Sequence, residues 1–509
     1  GGRNGCLRHS QYMKESGILL HISSLPNKYG IGSIGKGAYK FVDWLKECGF
    51  SRWEILPLNP AGPANSPYQT NSAFGFNISF IDLDLLIDEG LLKKIDLRGL
   101  FFGKNPEFVD YKAIWNTRKQ ILYKAYKRFD KTSREFKNFK EDHDYQEFAL
   151  YMTIKDINNN KPWYDWSIEY RIFTPLVRDY ILKKYYKKYE FYVFTQYIFL
   201  KQWRTLKKYA NNKGIKIVGC VPYYLSYDSV EFYFHPDLFL VGKNNALEYI
   251  SGYPSDAYNK VGQRWGNPLY DWSYMKANNY KWWNERISKA LKLYDYVVLN
   301  HFRGFYQFYA MPFSFMDSSK GFFMEGPRLD FFKDKKNLPL IASGVGLKDE
   351  HVARFIKECG YPDIRMLLFG LNNIPENIHN PINYNEKTIA YSTNHDSMPL
   401  KGFIKDNFNE NLFNQIETLA NNFDIQFEKE KISIKYLFDV LIKILYKSNA
   451  GCIMLQLQDI LMQDKGSRMN TPGVVNKTNW CYRITSIDLE DDYTIKKFKE
   501  LNKKYERSI

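Results

Sequence analysis

Residues 296–305 read YVVLNHFRGF: a short apolar run, β-branched at Val297 and Val298, that stops abruptly in polar and charged residues. Three further segments share this design: IKIVGCVPYYL (215–225), LPLIASGVG (338–346) and TIAYSTNHDS (388–397). Strands buried on both faces of a parallel sheet read as nearly continuous apolar runs. In a (β/α)8 barrel, the side chains just past the C-terminal end of each strand build the active-site face. Runs that repeatedly end this way predict an α/β fold of the TIM-barrel type, with their polar ends on one face.

The flanking sequence fits that reading. GILLHISSLP (17–26) is another apolar run closed by turn residues. GAYKFVDWLKECG (37–49) then sets Ala38, Phe41, Val42 and Leu45 at helical spacing, with Gly49 suited to a C-terminal stop. SRWEILPLNP (51–60) is a further short run, broken by Pro57 and Pro60. From about 88 to 210 the chain becomes Lys-rich, aromatic and helical in period, as in FYVFTQYIFLKQWRTLKKYA (191–210). This stretch is expected to be a mostly helical insertion that rejoins the barrel near 214. No internal repeat or Pro/Ser linker divides the chain, so 13–509 is expected to be a single barrel domain. Residues 1–12, GGRNGCLRHSQY, precede Met13 and are set aside as a leader.

Composition narrows the function classes. Of 509 residues 44% are hydrophobic, enough for a large core and against disorder. The aromatic share of 17% suits stacking on sugar rings, but Lys, Asn, Tyr, Ile and Phe are inflated together, which an AT-rich genome produces unaided. The formal charge of +16 comes from lysines scattered over solvated faces, as in KKYYKKYEFY (183–192), so no nucleic-acid partner is expected. The six cysteines lie far apart without a C-x-x-C pair, which fits a reducing cytoplasm and offers no metal framework. No apolar run reaches the roughly 18 residues of a membrane span.

Longer motifs carry a resemblance. SGILLHISSLPNKYGIGSIGKGAYKFVDWLKECG, LPLNPAGPANSPYQTNSAFGFN, GYPSDAYNKVGQRWGNPLYDW, NHFRGF, YSTNHDS and GSRMNTPG occur in order from about 16 to 483. Together they resemble the amylomaltases (4-α-glucanotransferases) of glycoside hydrolase family 77. The resemblance implies a TIM barrel that transfers α-1,4-glucan segments between maltooligosaccharides, with no cofactor. It also implies a retaining mechanism: one carboxylate attacks the anomeric carbon, and a second acts as acid and then base. A third stabilises the cationic transition state.

The same motifs show departures. The family's Arg-x-Asp-His-Phe-Arg-Gly is here VLNHFRG, so Asn300 stands at the nucleophile position and Val298 replaces an Arg. Ala-Glu-Asp-x-Gly has become ASGVG, with Ser343 at the acid/base position and Gly344 after it. Gly-Asp-x-Pro has become GCVP, with Cys220 for Asp. Asp396, the implied transition-state stabiliser, is retained in NHDS. An amide is a poor nucleophile, and a serine hydroxyl titrates too high to serve as acid and base. Activity is therefore expected roughly 10⁴-fold or more below that of an intact relative. Asp228 and Glu231 are the nearest candidates to replace the missing carboxylates.

The rest of the implied sugar site is present. Tyr68 corresponds to a stacking tyrosine, with a buried loop aromatic as the alternative. His301, Arg303 and His395 are implied substrate-binding residues, while Trp265, Asn267 and Arg468 lie in loops beside the cleft and serve it or the core. Two other readings stay open: a non-catalytic glucan-binding protein, and a basic scaffold for protein or nucleic acid.

Overall fold

The computed structural model describes residues 13–255, 261–343 and 350–508; Gly344 and Asp349 lie outside the described residues. In chain order the strands are β1 Glu15–Leu19, β2 Arg52–Glu54, β3 Lys216–Val221, β4 Tyr249–Tyr253, β5 Gln263–Arg264 and β6 Tyr296–Leu299. They continue as β7 Gln307–Pro312, β8 Phe322–Glu325, β9 Leu340–Ala342, β10 Asp363–Met366, β11 Thr388–Tyr391 and β12 Cys452–Gln456. β1, β2, β3, β6, β9, β10, β11 and β12 follow one another around a closed barrel in which each pairs in parallel with its neighbours. This is the TIM-barrel plan, and the four apolar runs singled out above supply β3, β6, β9 and β11. The other strands form an antiparallel lateral sheet, ordered β5-β4-β7-β8, built from the connections after β3 and β6.

Local chemistry explains the units. The helix Lys36–Cys48 buries Ala38, Phe41, Val42, Trp44, Leu45 and Cys48, and ends where Gly49 adopts φ 85°. A side chain would be strained at that left-handed position. Gly219 in β3 has a different reason, since a Cβ there would lie 2.3 Å from the Tyr294 ring. Between β2 and β3 the chain is helical, its main helices being Tyr111–Arg128, His143–Ile157 and Tyr186–Asn212. The last of these buries a face including Phe194, Ile198, Trp203 and Leu206 and leads directly into β3.

The floor of the barrel is sealed by the end of the chain. Arg507 is fully buried and donates to the carbonyls of Glu15 (3.2 Å), Ala450 (2.8 Å), Ser448 (2.8 Å) and Tyr446 (3.2 Å). Glu15 opens β1 and Ala450 precedes β12, so one guanidinium clamps the seam between the first and last strands. Among the described residues no helix is long and apolar enough to cross a membrane, and the cysteines are free and buried.

Candidate active site

At the C-terminal ends of the strands lies a cleft of about 650 Å³, lined by Tyr68, Trp265, Asn267, Asn300, His301, His395 and Asp396 among others. Each residue arrives by a strand end or a loop pinned to one. Asn300 follows β6 immediately and is fixed by its amide, which donates to the Val221 carbonyl at 3.1 Å. His301 then takes φ 52°, turning the chain so that the Phe302 amide donates to the Ser343 carbonyl at 2.6 Å. Asn300 and Ser343 are thereby locked side by side at the mouths of β6 and β9.

The loop after β11 carries His395 and Asp396. Buried Asp459 holds its base, accepting from the Ser392 and Thr393 hydroxyls and the Leu400 amide. Asp396 is buckled from the far side: Asn470 Nδ2 donates to its carboxylate at 2.8 Å, and Arg468 Nη2 to its carbonyl at 2.7 Å. Burial disfavours a His395 cation, but the Asp396 carboxylate at 3.4 Å outweighs it and raises the imidazole pKa above the ordinary value. Burial likewise pushes Asp396 up, yet the same partner, with Asn470 and Arg468, holds it below the usual carboxylate range. The two shifts act in the same sense, each partner favouring the charged form of the other. His301, by contrast, is pushed down to about 3 by burial and by the Arg303 charge, and stays neutral.

Aromatic rings form two walls. Tyr68 stacks on His395 with centroids 5.1 Å apart, backed by Trp480 at 5.9 Å. Opposite, Trp265 meets His301 edge-on at 5.0 Å. Asn267 supports that wall: its side chain bonds Leu225 O, Gln69 and the Ser251 hydroxyl, leaving little amide capacity for a ligand. Arg303 lies behind the cleft, donating to the Tyr253 hydroxyl at 2.6 Å and packing over the Tyr253 and Phe323 rings. Arg468 also acts from behind, through Asp396.

Beneath the cleft is a small chamber of about 40 Å³, room for one or two waters. Tyr68, Asn300 and His395 separate the two spaces, and Cys220, Val298, Ser343 and Glu54 line the lower one. Glu54 ends β2 inside the barrel, is 6% exposed and accepts from the Tyr391 hydroxyl at 2.5 Å. Burial pushes its carboxyl up to about 7, against the opposing pull of Tyr391, His395 and Arg52.

Comparison with known proteins shows the family. The family profile described as 4-alpha-glucanotransferase matches residues 20–489. The 4-alpha-glucanotransferase of Aquifex aeolicus is 35% identical over 495 residues, covering 95% of this chain and 97% of that protein. The chain belongs to the 4-alpha-glucanotransferase family. The chloroplastic/amyloplastic 4-alpha-glucanotransferase of Solanum tuberosum is 32% identical, covering 97% of this chain and 86% of its own. The amylomaltase of Streptococcus agalactiae, solved in complex with acarbose, superposes with TM-score 0.90 at 33% identity, covering 97% of this chain and 100% of that one. Corynebacterium glutamicum amylomaltase, at 15% identity and TM-score 0.78, shares the fold over 96% of this chain and 75% of that one.

For a 4-alpha-glucanotransferase cleft the placement of carboxylates matters most. Among the described residues Asp396 is the one carboxylate lining the cleft, and Glu54 the one lining the chamber. Asp228 and Glu231 reach neither. Asp228 is bonded to Tyr151 and Lys155 and accepts from the Trp163 amide. Glu231 is buried, accepting from the Ala73 amide at 2.9 Å. The idea that either replaces a missing carboxylate is therefore corrected: both are committed to holding the helical insertion and the loop after β2. Glu54 was the residue to find, and the strand-end reading applied to SRWEILP would have reached it. Metal-type side chains cluster only at Asp142, His143 and Asp144 among the described residues, outside the cleft, and Lys289 already pairs with both carboxylates.

Proposed function

We propose that this chain binds α-1,4-glucans in the cleft and turns them over at least ~10⁴-fold more slowly than a family member with a full carboxylate set. The observation that carries the reading is the single carboxylate, Asp396, lining the described cleft. A retaining transfer needs two carboxyl groups roughly 5–5.5 Å apart astride the bond to be broken. Asn300 and Ser343 occupy the paired strand-end positions that the family motifs assign to them, and neither supplies one. The binding half of the site supports retained affinity. The Tyr68 and Trp265 walls offer stacking faces, and the His395–Asp396 unit offers charged hydrogen bonds to sugar hydroxyls. A relative of the same fold at 33% identity binds acarbose.

The test combines calorimetric titration of acarbose with glucose release from maltotriose, beside the Asn300→Asp/Ser343→Glu double variant. The reading expects saturable acarbose binding, negligible turnover, and activity gained in the double variant. Turnover by the unmodified protein near that of the Aquifex relative would sink it. Glu54 favours a second reading, in which this carboxylate beneath Asn300 supports slow chemistry. That reading expects residual turnover that disappears in Glu54→Gln while acarbose affinity is kept.

A further inference from the structure

Outside the barrel wall, between β3 and the helices Tyr186–Asn212 and Lys281–Leu293, lies a second cavity of about 180 Å³, the liquid volume of about six waters. It is distinct from the cleft: the two have no lining residue in common. Its charge is one-sided. Arg204, Arg286, Lys289 and Lys292 line it, against Asp142 alone. Lys289 is neutralised by Asp142 and Asp144, but Arg204 and Lys292 are exposed at the mouth with no ion-pair partner among the described residues.

The decisive group is Arg286 at the inner end. It is 3% exposed, yet its Nε and Nη2 have no hydrogen-bond partner among the described residues, and Nη1 makes one long bond to Tyr223 O at 3.4 Å. Its guanidinium lies over the Trp282 and Trp283 rings at 5.3 and 4.9 Å. These rings offer cation–π attraction and no acceptor lone pair. The nearest candidate counter-charge is Glu231, whose Oε2 is also unpartnered. Guanidinium carries five N–H donors. The Glu231 charge and the Tyr270 hydroxyl act on it and one donor goes to Tyr223, which together leave donors over. A buried cation left this unsatisfied is costly unless an anion meets it.

We propose that this cavity is a binding site for a small phosphate-bearing molecule, its phosphate bonded by Arg286 and drawn in by Arg204 and Lys292. A forked guanidinium matches phosphate oxygens in a bidentate manner, which a lysine ammonium does not. The opposite wall is aromatic, from Phe74, Phe76, Tyr145 and Tyr294, so the body attached to the phosphate meets ring faces. The volume holds the phosphate and the first few atoms attached to it, the rest of a hexose extending through the open mouth beside Arg204 and Lys292. The site also touches Cys220 and Val221 from behind, at the strand end whose inner side faces the chamber beneath the cleft.

The test is calorimetric titration of glucose 6-phosphate and, separately, inorganic phosphate into the protein, with ionic strength held constant by chloride. The expected result is saturable binding of one glucose 6-phosphate per chain, weakened at least ~10-fold in the exposed Arg204→Gln/Lys292→Gln variant. The binding should be abolished in Arg286→Met and unchanged when the cleft is pre-filled with acarbose. Inorganic phosphate binding with equal affinity would support recognition of the phosphate group alone, and weaker binding would support recognition of the sugar body as well. The proposal is overturned if neither probe binds saturably, if the mouth variant binds as well as the unmodified protein, or if acarbose competes. Because the mouth variant changes only exposed side chains, it keeps the test decisive even if Arg286→Met fails to fold.

Discussion

Replacing Glu54 by Gln should stabilise the protein, and increasingly so as pH rises. In the folded chain the Glu54 carboxyl is pushed from its ordinary 4.5 up to about 7, chiefly by burial. The folded state therefore holds this proton to higher pH than the unfolded state. Stability contributed by the neutral carboxyl is complete below about pH 4.5, declines through the window up to about pH 7, and is lost above it. The gap of about two and a half powers of ten corresponds to about 3.5 kcal/mol, at ~1.4 kcal/mol for each tenfold. Glutamine keeps the shape and an oxygen to accept from the Tyr391 hydroxyl, but it carries no proton to lose. Urea unfolding followed by tryptophan fluorescence should thus show variant and unmodified protein nearly matched near pH 4.5. By about pH 8.5 the variant should lead by about 3.5 kcal/mol. A pH-independent difference would refute the reasoning, because it would mean that the carboxyl ionises as easily in the barrel as in water.

Three further outcomes are expected. Arg507→Met should lower stability by about 3–5 kcal/mol, read as a lower urea midpoint, because buried carbonyls at the barrel seam lose their donors; Arg507→Lys should recover only part, lacking the planar fork. Asp396→Asn should lower the His395 pKa in an NMR titration, since burial is then opposed by the Glu54 charge alone; an unchanged value would separate the two side chains electrostatically. Trp265→Ala should weaken acarbose binding about tenfold by calorimetry, equivalent to about 1.4 kcal/mol of lost ring contact; unchanged affinity would remove Trp265 from the sugar platform.

The barrel was legible in the sequence because parallel strands buried on both sides leave uninterrupted apolar runs, and those of β3, β6, β9 and β11 end in small, polar or charged residues. The lateral sheet was not. YISGY (249–253) and QFYAMP (307–312) are as short and apolar as barrel strands, and only their antiparallel partners distinguish them. β10 was also missed, since DIRM carries charges inside a strand that a floor-level ion pair, Arg365 to Asp363 at 2.7 Å, makes tolerable. In the cleft, residues defined by position along a strand were readable, whereas direction was not. Arg303 and Arg468 bond to Tyr253 and Asp396, partners 50 and 72 residues distant that a linear reading does not pair with them. Glu54 was within reach as a strand-end residue, but its hydrogen bond from Tyr391, 337 residues later, was not legible.

The Arg507 clamp ties the barrel's closure to the order of synthesis. Its bond to the Glu15 carbonyl joins residues 492 positions apart. A ribosome adds about 5–20 residues per second, so β1 exists for tens of seconds before the residue that locks it to β12. During that interval β1 has an open edge, the kind of surface that pairs with other chains. The helical insertion between β2 and β3, dominated by local contacts, can fold early against helix Lys36–Cys48 and shield the nascent sheet. A nonsense codon just upstream of Arg507 would leave almost every other contact intact and still yield a barrel prone to reopen at its first strand. Emergence of Arg507, rather than collapse of the core, is thus the event that commits this chain to its closed form.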